Sequence, residues 1–190
     1  MKEVKGYKAF NVDSTNRYGM PFTEGETYRV EGEVSFGNDG NGFHMCKSLC
    51  DVFRYFKATE EDVLVAEVTG RGNYAHRDDN YYGYYDMYAF EEITIDKFLE
   101  RDEVIDKILS SPPHEVIKFI VTCRVSDEEA VKIARKFRHN AEVIKALLFY
   151  HYKHSEIYKM SKSEEECIRL VLKDGQNNNK GSKGEQPTKC

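Results

Sequence analysis

The amino-acid sequence predicts an α+β fold: an N-terminal mixed or antiparallel sheet with one packed helix, then a C-terminal helical subdomain, then a disordered tail. Three observations predict it. Up to about residue 96 the segments are short, β-like and punctuated by glycine. Between Gly83 and Gly175 no glycine occurs, which permits a run of uninterrupted helices. From Asp174 to Cys190 almost nothing is apolar, so that stretch reads as a flexible tail. The expected division is a β-rich domain over 1–96, a helical subdomain over 97–174 packed on it, and a tail over 175–190.

In the first part, Val4 to Phe10 reads as a strand and Asn11 to Gly19 as a polar loop. Glu26 to Val30 alternates polar and apolar residues, as a half-buried strand does. Glu33 to Phe36 reads as another strand. Gly37 to Gly42 has the Asn, Asp and Gly content of a turn, because these residues tolerate positive φ. Gly42 to Cys46 is a short strand leaving it. Ser48 with Asp51 then marks a helix start, and Leu49, Val52, Phe53 and Phe56 share one helical face. Val63 to Val68 is nearly all apolar, as a central strand buried on both faces is. Arg71 to Tyr88 reads as a loop. Met87 to Phe90 and Ile93 to Ile95 read as one or two further strands.

The second part reads as four or five helices. The first spans Asp96 to Leu109, with Val104, Ile105, Ile108 and Leu109 on one side. Pro112-Pro113 breaks the chain, and Pro113 suits the first turn of the next helix. Ser126-Asp127-Glu128-Glu129 is a capping box with acid in the first turn. Ser161 and Glu164 repeat that spacing ahead of Cys167, Ile168, Val171 and Leu172. Glu115 to Val121 resembles Glu142 to Leu148, and two stacked helical hairpins would give such a pattern.

Composition narrows the function. The chain has 190 residues, 40% hydrophobic and 32% charged, enough to build a core. No apolar run approaches the roughly 20 residues of a membrane span. The start, Met1 to Gly6, has no hydrophobic signal region. The formal charge of -5 disfavours direct nucleic-acid binding as the main role. Five scattered cysteines fit reduced thiols in a cytoplasm better than a disulfide frame.

No complete catalytic or metal set stands out. His44, Cys46 and Cys50 lie close together, but a zinc site needs a fourth ligand, and none arrives with pair spacing. No metal is therefore expected. The turn over 37–42 lacks the Gly-Lys-Ser/Thr of a phosphate loop. The aromatic content is the distinctive entry: 13 Tyr and 11 Phe with no Trp. Tyr81, Tyr82, Tyr84, Tyr85 and Tyr88 fall within eight residues, beside Arg71, His76 and Arg77. Clustered tyrosines among mixed charges suit a recognition surface, because each gives contact area at low entropy cost and keeps a polar tip. Alternate tyrosines could instead fill a hydrophobic layer.

Residues 4 to 109 resemble an uncharacterised domain family of phage, prophage and mobile-element proteins. The carrying features are Lys5-Gly6-Tyr7-Lys8-Ala9-Phe10-Asn11 and Phe22-x-x-Gly25-x-x-Tyr28. They continue with Gly42-Phe43-His44-Met45-Cys46, the helix to Tyr55-Phe56, and Glu67-Val68-Thr69-Gly70. The order of elements is also remotely similar to ADP-ribosyltransferase folds. That resemblance implies NAD as cofactor and places its site at Lys8, His44 and Glu91 or Glu92. Lys8 stands where that family carries Arg or His, and its Ser/Thr element is missing.

The resulting expectation is a non-enzymatic interaction protein, with no cofactor, in the cytoplasm of a bacterial host. Its partner would be a host protein, nucleoprotein or defence complex, met through the tyrosine cluster with Arg71, His76 and Arg77. The alternative is an NAD-binding transferase-like enzyme or a degenerate scaffold of one.

Overall fold

The computed structural model describes residues 2–16, 18–36, 40–55, 63–79, 85–123 and 125–151. Its elements are β1 Glu3–Phe10, β2 Thr27–Arg29, β3 Phe43–Cys46, α1 Leu49–Tyr55, β4 Leu64–Asp79 and β5 Tyr85–Leu99. The helices α2 Arg101–Leu109, α3 Pro113–Thr122, α4 Asp127–Lys136 and α5 Ala141–Tyr150 follow. They fall into two compact units, Met1–Ser111 and Pro112–Cys190.

In the first unit five strands pair, all antiparallel. β4 lies between β1 and β5, as the apolar run Val63 to Val68 predicts for a central strand. The other edge of β5 takes β3 along Met87 to Phe90 and β2 along Glu92 to Thr94. β3 meets β1 where Tyr7 faces Cys46. The chain of pairings β1–β4–β5–β3–β1 therefore closes into a ring, with β2 following β3 along the same edge of β5.

Alternation sends one face of each ring strand inward. Phe10, Phe43, Met45, Ala66, Val68, Tyr88, Phe90, Ile93 and Ile95 make one cluster there, joined by Phe22 from the 11–22 loop. Ala9, Cys46 and Met87, from the opposite faces of their strands, pack with Val52 of α1. Gly6 sits at the seam of the ring. A Cβ there would lie under 3 Å from the Cys46 carbonyl oxygen and the Met45 methyl carbon, so only glycine lets β1 cross β3 this closely. At 25 cal/mol per Å² of apolar surface, each large side chain in the ring contributes about 1.5–3 kcal/mol.

α2 belongs to this unit and buries Val104, Ile105 and Ile108. Lys107 Nζ lies 2.8 Å from Glu67 Oε1 of β4 and ties the helix to the sheet. In the second unit α3 packs on α5, and both bury apolar faces centred on Val116, Phe119, Val143 and Leu147. Pro113 occupies the first turn of α3, and Ser126 with Glu129 forms the expected capping box of α4. The resembling segments 115–121 and 142–148 are thus partners within one unit. The helix preceding the first of them, α2, lies in the other unit.

Three expectations need correction. Arg71 to Asp79 and Tyr85 to Tyr88 are strand rather than loop. β4 runs through Asp79 and β5 begins at Tyr85, so the stretch is the outer half of a hairpin. Polar composition hid it, because a ribbon beyond the core has little apolar face to reveal a period of two. Met87 to Phe90 and Ile93 to Ile95, read as one or two strands, form a single one. Glu33 to Phe36 forms no strand; it is held locally by a Ser35 N–H bond to the Asn41 carbonyl. The helix expected from Asp96 begins at Arg101, because Asp96 to Leu99 complete β5, and residues 96 and 97 both lie inside that strand. Phe56, the helix start at Ser161 and Glu164, and the tail over 175–190 lie outside the described residues.

Candidate functional site

The hairpin of β4 and β5 carries most of the residues singled out by sequence. Its two strands change register between Arg71 and Tyr74, where Gly72 and Asn73 stand opposite Glu91. Gly72 adopts φ +85°, the left-handed conformation that a glycine-led bulge uses. A Cβ on Gly72 would stand 3.0 Å from Glu91 Oε2. The bulge thus lets Glu91 lie close over the backbone.

Inward alternation on β5 slips by one at the same place. Tyr88 and Phe90 face the ring interior, and so do Ile93 and Ile95. Glu91 and Glu92 fall between them, half-buried and outside that core cluster. This explains two consecutive acids in an otherwise buried strand. Glu91 is fully engaged. Its Oε1 accepts from Arg29 Nε at 2.9 Å and from Arg29 Nη2. Its Oε2 accepts from the Asn73 N–H at 3.1 Å and from Asn73 Nδ2 at 2.9 Å. The Arg29 guanidinium, and then the Asn73 amide, hold its carboxyl below the usual carboxylate range. Glu92 is in register with Arg29 on β2 and Arg71 on β4. Arg71 itself reaches Glu3 Oε2 at 2.7 Å and Thr94 Oγ1 at 2.9 Å.

Lys8 and His44 meet on neighbouring strands, but not by their catalytic atoms. The Lys8 ammonium donates to the His44 backbone carbonyl at 2.9 Å, and the His44 ring packs 5.3 Å from Phe36. Cys46 and Cys50 are buried.

Beyond the bulge an aromatic ladder crosses the hairpin. The His76 ring stacks on Tyr88 at 4.3 Å, and Tyr88 stacks on Phe90 at 5.7 Å. Tyr74 lies 5.6 Å from Phe90 and is 43% exposed. Lys2 Nζ sits 4.2 Å over the Tyr74 ring and 5.1 Å over Tyr88, within cation–π range. His76 Nε2 shares a 2.6 Å hydrogen bond with Asp86 Oδ1. Burial raises the Tyr88 hydroxyl above its ordinary value. Phe90 is fully buried, and its ring covers Gly70, where a Cβ would fall under 3 Å from the ring carbons.

The tyrosine cluster therefore divides. Tyr88 fills the hydrophobic layer. Tyr85 stands at the start of β5, opposite Asp79. Tyr81, Tyr82 and Tyr84, between the two strands, lie outside the described residues. His76 and Arg77 are exposed on the outer half of β4, and Arg71 is half-buried nearer the ring. Lys2, Tyr74, Asn73 and Arg29 are the neighbours that sequence reasoning missed. Tyr74 carried a signal, since it continues the inward alternation once the bulge is counted. The others are brought in only by strand pairing.

Among the described residues no group of His, Cys, Asp and Glu is placed to hold a metal ion, and no helix is long and apolar enough to cross a membrane. The family described as a domain of unknown function (DUF7666) matches residues 4–107. The match covers more than half of the chain, and the chain belongs to that family. Its span coincides closely with the first compact unit, Met1–Ser111. No curated protein and no solved structure matches.

Proposed function

We propose that this member of the DUF7666 family is a non-enzymatic interaction protein whose contact face is the outer half of the β4–β5 hairpin. One observation carries the reading. From Tyr74 to Asp79, β4 pairs only with β5 among the described strands, while Tyr74, His76 and Arg77 lie exposed along it. An open strand edge beside aromatic and cationic side chains offers backbone hydrogen bonds and contact area together. The sequence between the two strands adds Tyr81, Tyr82 and Tyr84.

The engagement of Glu91 supports a binding role over a catalytic one. A carboxylate that accepts four hydrogen bonds from Arg29 and Asn73 has no spare capacity to polarise a ribose. The partner we propose is a bacterial host protein or defence complex, following the resemblance to phage and mobile-element proteins. The acidic balance of -5 suits the basic surface of a nucleic-acid-handling assembly.

The test is affinity capture with the full chain from bacterial lysate, then titration of the captured partner. Tyr74→Ser combined with Tyr82→Ser should weaken binding at least about tenfold, or about 1.4 kcal/mol, without lowering the melting temperature appreciably. Unchanged affinity would remove the hairpin from the contact. In parallel, calorimetry with millimolar NAD should show no binding heat. Saturable heat lost in Glu92→Gln would favour a transferase-like enzyme instead.

A further inference from the structure

We propose that the faces of Tyr74 and Tyr88 form a seat for a cationic side chain, an arginine or lysine of the protein partner, which takes the place that Lys2 holds in the free chain. The inference rests on the hairpin reading above and adds to it the chemistry of the partner's contact residue.

Strand alternation builds the seat. Lys2 stands two residues before the buried Val4, so the alternation of β1, continued by one residue, sends its side chain to the face that carries Tyr88 and Phe90. There the Lys2 ammonium lies 4.2 Å from the centre of the Tyr74 ring and 5.1 Å from that of Tyr88. The two rings are 6.3 Å apart and share this one cation, which their electron-rich faces attract. Tyr88 is fixed between Phe90 and the stacked His76 ring. Tyr74 is 43% exposed, so the seat opens to solvent.

Lys2 is a replaceable occupant. It is exposed and lies ahead of the β1 ladder, and among the described residues no carboxylate pairs with its ammonium. A guanidinium is planar and less strongly hydrated, and stacks on an aromatic face more readily. β1 pairs with β4 no further out than Glu3 opposite Arg71. A partner segment laid along the open β4 edge from Tyr74 onward brings alternate side chains to the face of the two rings.

The same rings could stack on a nucleic-acid base, and local charge decides between the two. The Asp86 carboxylate lies 2.6 Å from His76 Nε2. Its charge, second to burial, raises the Tyr88 hydroxyl, so an anion stands beside the seat. Arg77 is in register with Met87 and falls by alternation on the other face of the hairpin. Residues 1–111 hold 22 Asp and Glu against 13 Lys and Arg, a balance that repels phosphate and draws cations.

The probes are seven-residue peptides alternating Thr and Val around a central arginine, lysine or citrulline, the last a neutral analogue of arginine. They are titrated to millimolar concentration into the full chain and followed by nuclear magnetic resonance. In the free protein the ring currents of Tyr74 and Tyr88 should move the Lys2 Hε signals upfield. The arginine and lysine peptides should return them to their ordinary position while shifting the Tyr74 and His76 amides. The citrulline peptide should bind at least about threefold more weakly, and so should the arginine peptide to Tyr74→Leu. Lys2→Ala should bind the arginine peptide about two- to fivefold more tightly, because the resident cation no longer competes. That gain keeps the test decisive if Tyr74→Leu lowers the melting temperature, since Lys2 is exposed and outside the core. Ordinary Lys2 signals in the free chain, no binding of the arginine peptide, or unchanged or weaker binding by Lys2→Ala would overturn the seat. Arginine and citrulline peptides bound equally, and both lost with Tyr74→Leu, would overturn it while leaving the hairpin contact standing. A thymidine oligonucleotide bound at Tyr74 and lost with Lys2→Ala would overturn it in favour of a nucleic acid.

Discussion

Glu91 is the residue where the sheet, the bulge and the charges meet. Its carboxyl is held below its unfolded value, so it contributes stability fully present above about pH 4.3 and lost as pH falls through the lower folded value. Glu91→Gln should therefore be less stable than the unaltered protein at pH 6, with the gap closing at pH 3. Denaturant titration at the two pH values measures it, and a gap of equal size at pH 3 would show that charge is not the cause. Gly6 and Gly70 are fixed by close approach rather than by φ. Gly6→Ala and Gly70→Ala should each cost about 1–3 kcal/mol, since the Cys46 backbone or the buried Phe90 ring must give way. A thermal melt unchanged by either substitution would contradict the ring seam or the ring-over-glycine contact described above.

At the scale of elements, sequence was most informative where burial imposes a period. Val63 to Val68 announced a central strand, Gly42 to Cys46 a short one, and Ser126 with Glu129 a helix start. It was least informative beyond the core. The outer hairpin carries Asn73, His76, Arg77, Asp78 and Asp79, whose polarity reads as loop, and the bulge at Gly72 breaks the alternation that would betray a strand. The ring closure was equally hidden, because one contact between Tyr7 and Cys46 depends on residues 39 apart. The site followed the same rule. Glu91, His76 and Arg77 were visible as polar residues, whereas Arg29 reaches Glu91, and Lys2 the Tyr74 and Tyr88 rings, only through tertiary pairing. Ser126→Ala should cost the helical unit about 1 kcal/mol, because its hydroxyl accepts the Glu129 N–H. Ser126→Asp should restore most of that loss. A melt insensitive to both would mean that the cap adds nothing to α4.

For the whole molecule, the first compact unit includes α2, the family span reaches into that helix as far as residue 107, and both stop before α3. A fragment of residues 1–111 should fold alone. A fragment of residues 1–96 should not, because it lacks Phe98, Leu99, Val104, Ile105 and Ile108. Their burial represents on the order of 10 kcal/mol at the upper bound, comparable with the whole stability of a small domain. Circular dichroism of the two fragments checks this, and a cooperative melt from 1–96 would contradict it. The central claim is that the family domain binds a protein through the outer hairpin. Hydrogen exchange of the full chain, with and without the captured partner, tests it most directly. The account predicts slowed exchange from Asn73 to Tyr88. Slowing confined to 112–151, with the hairpin amides unchanged, would contradict it.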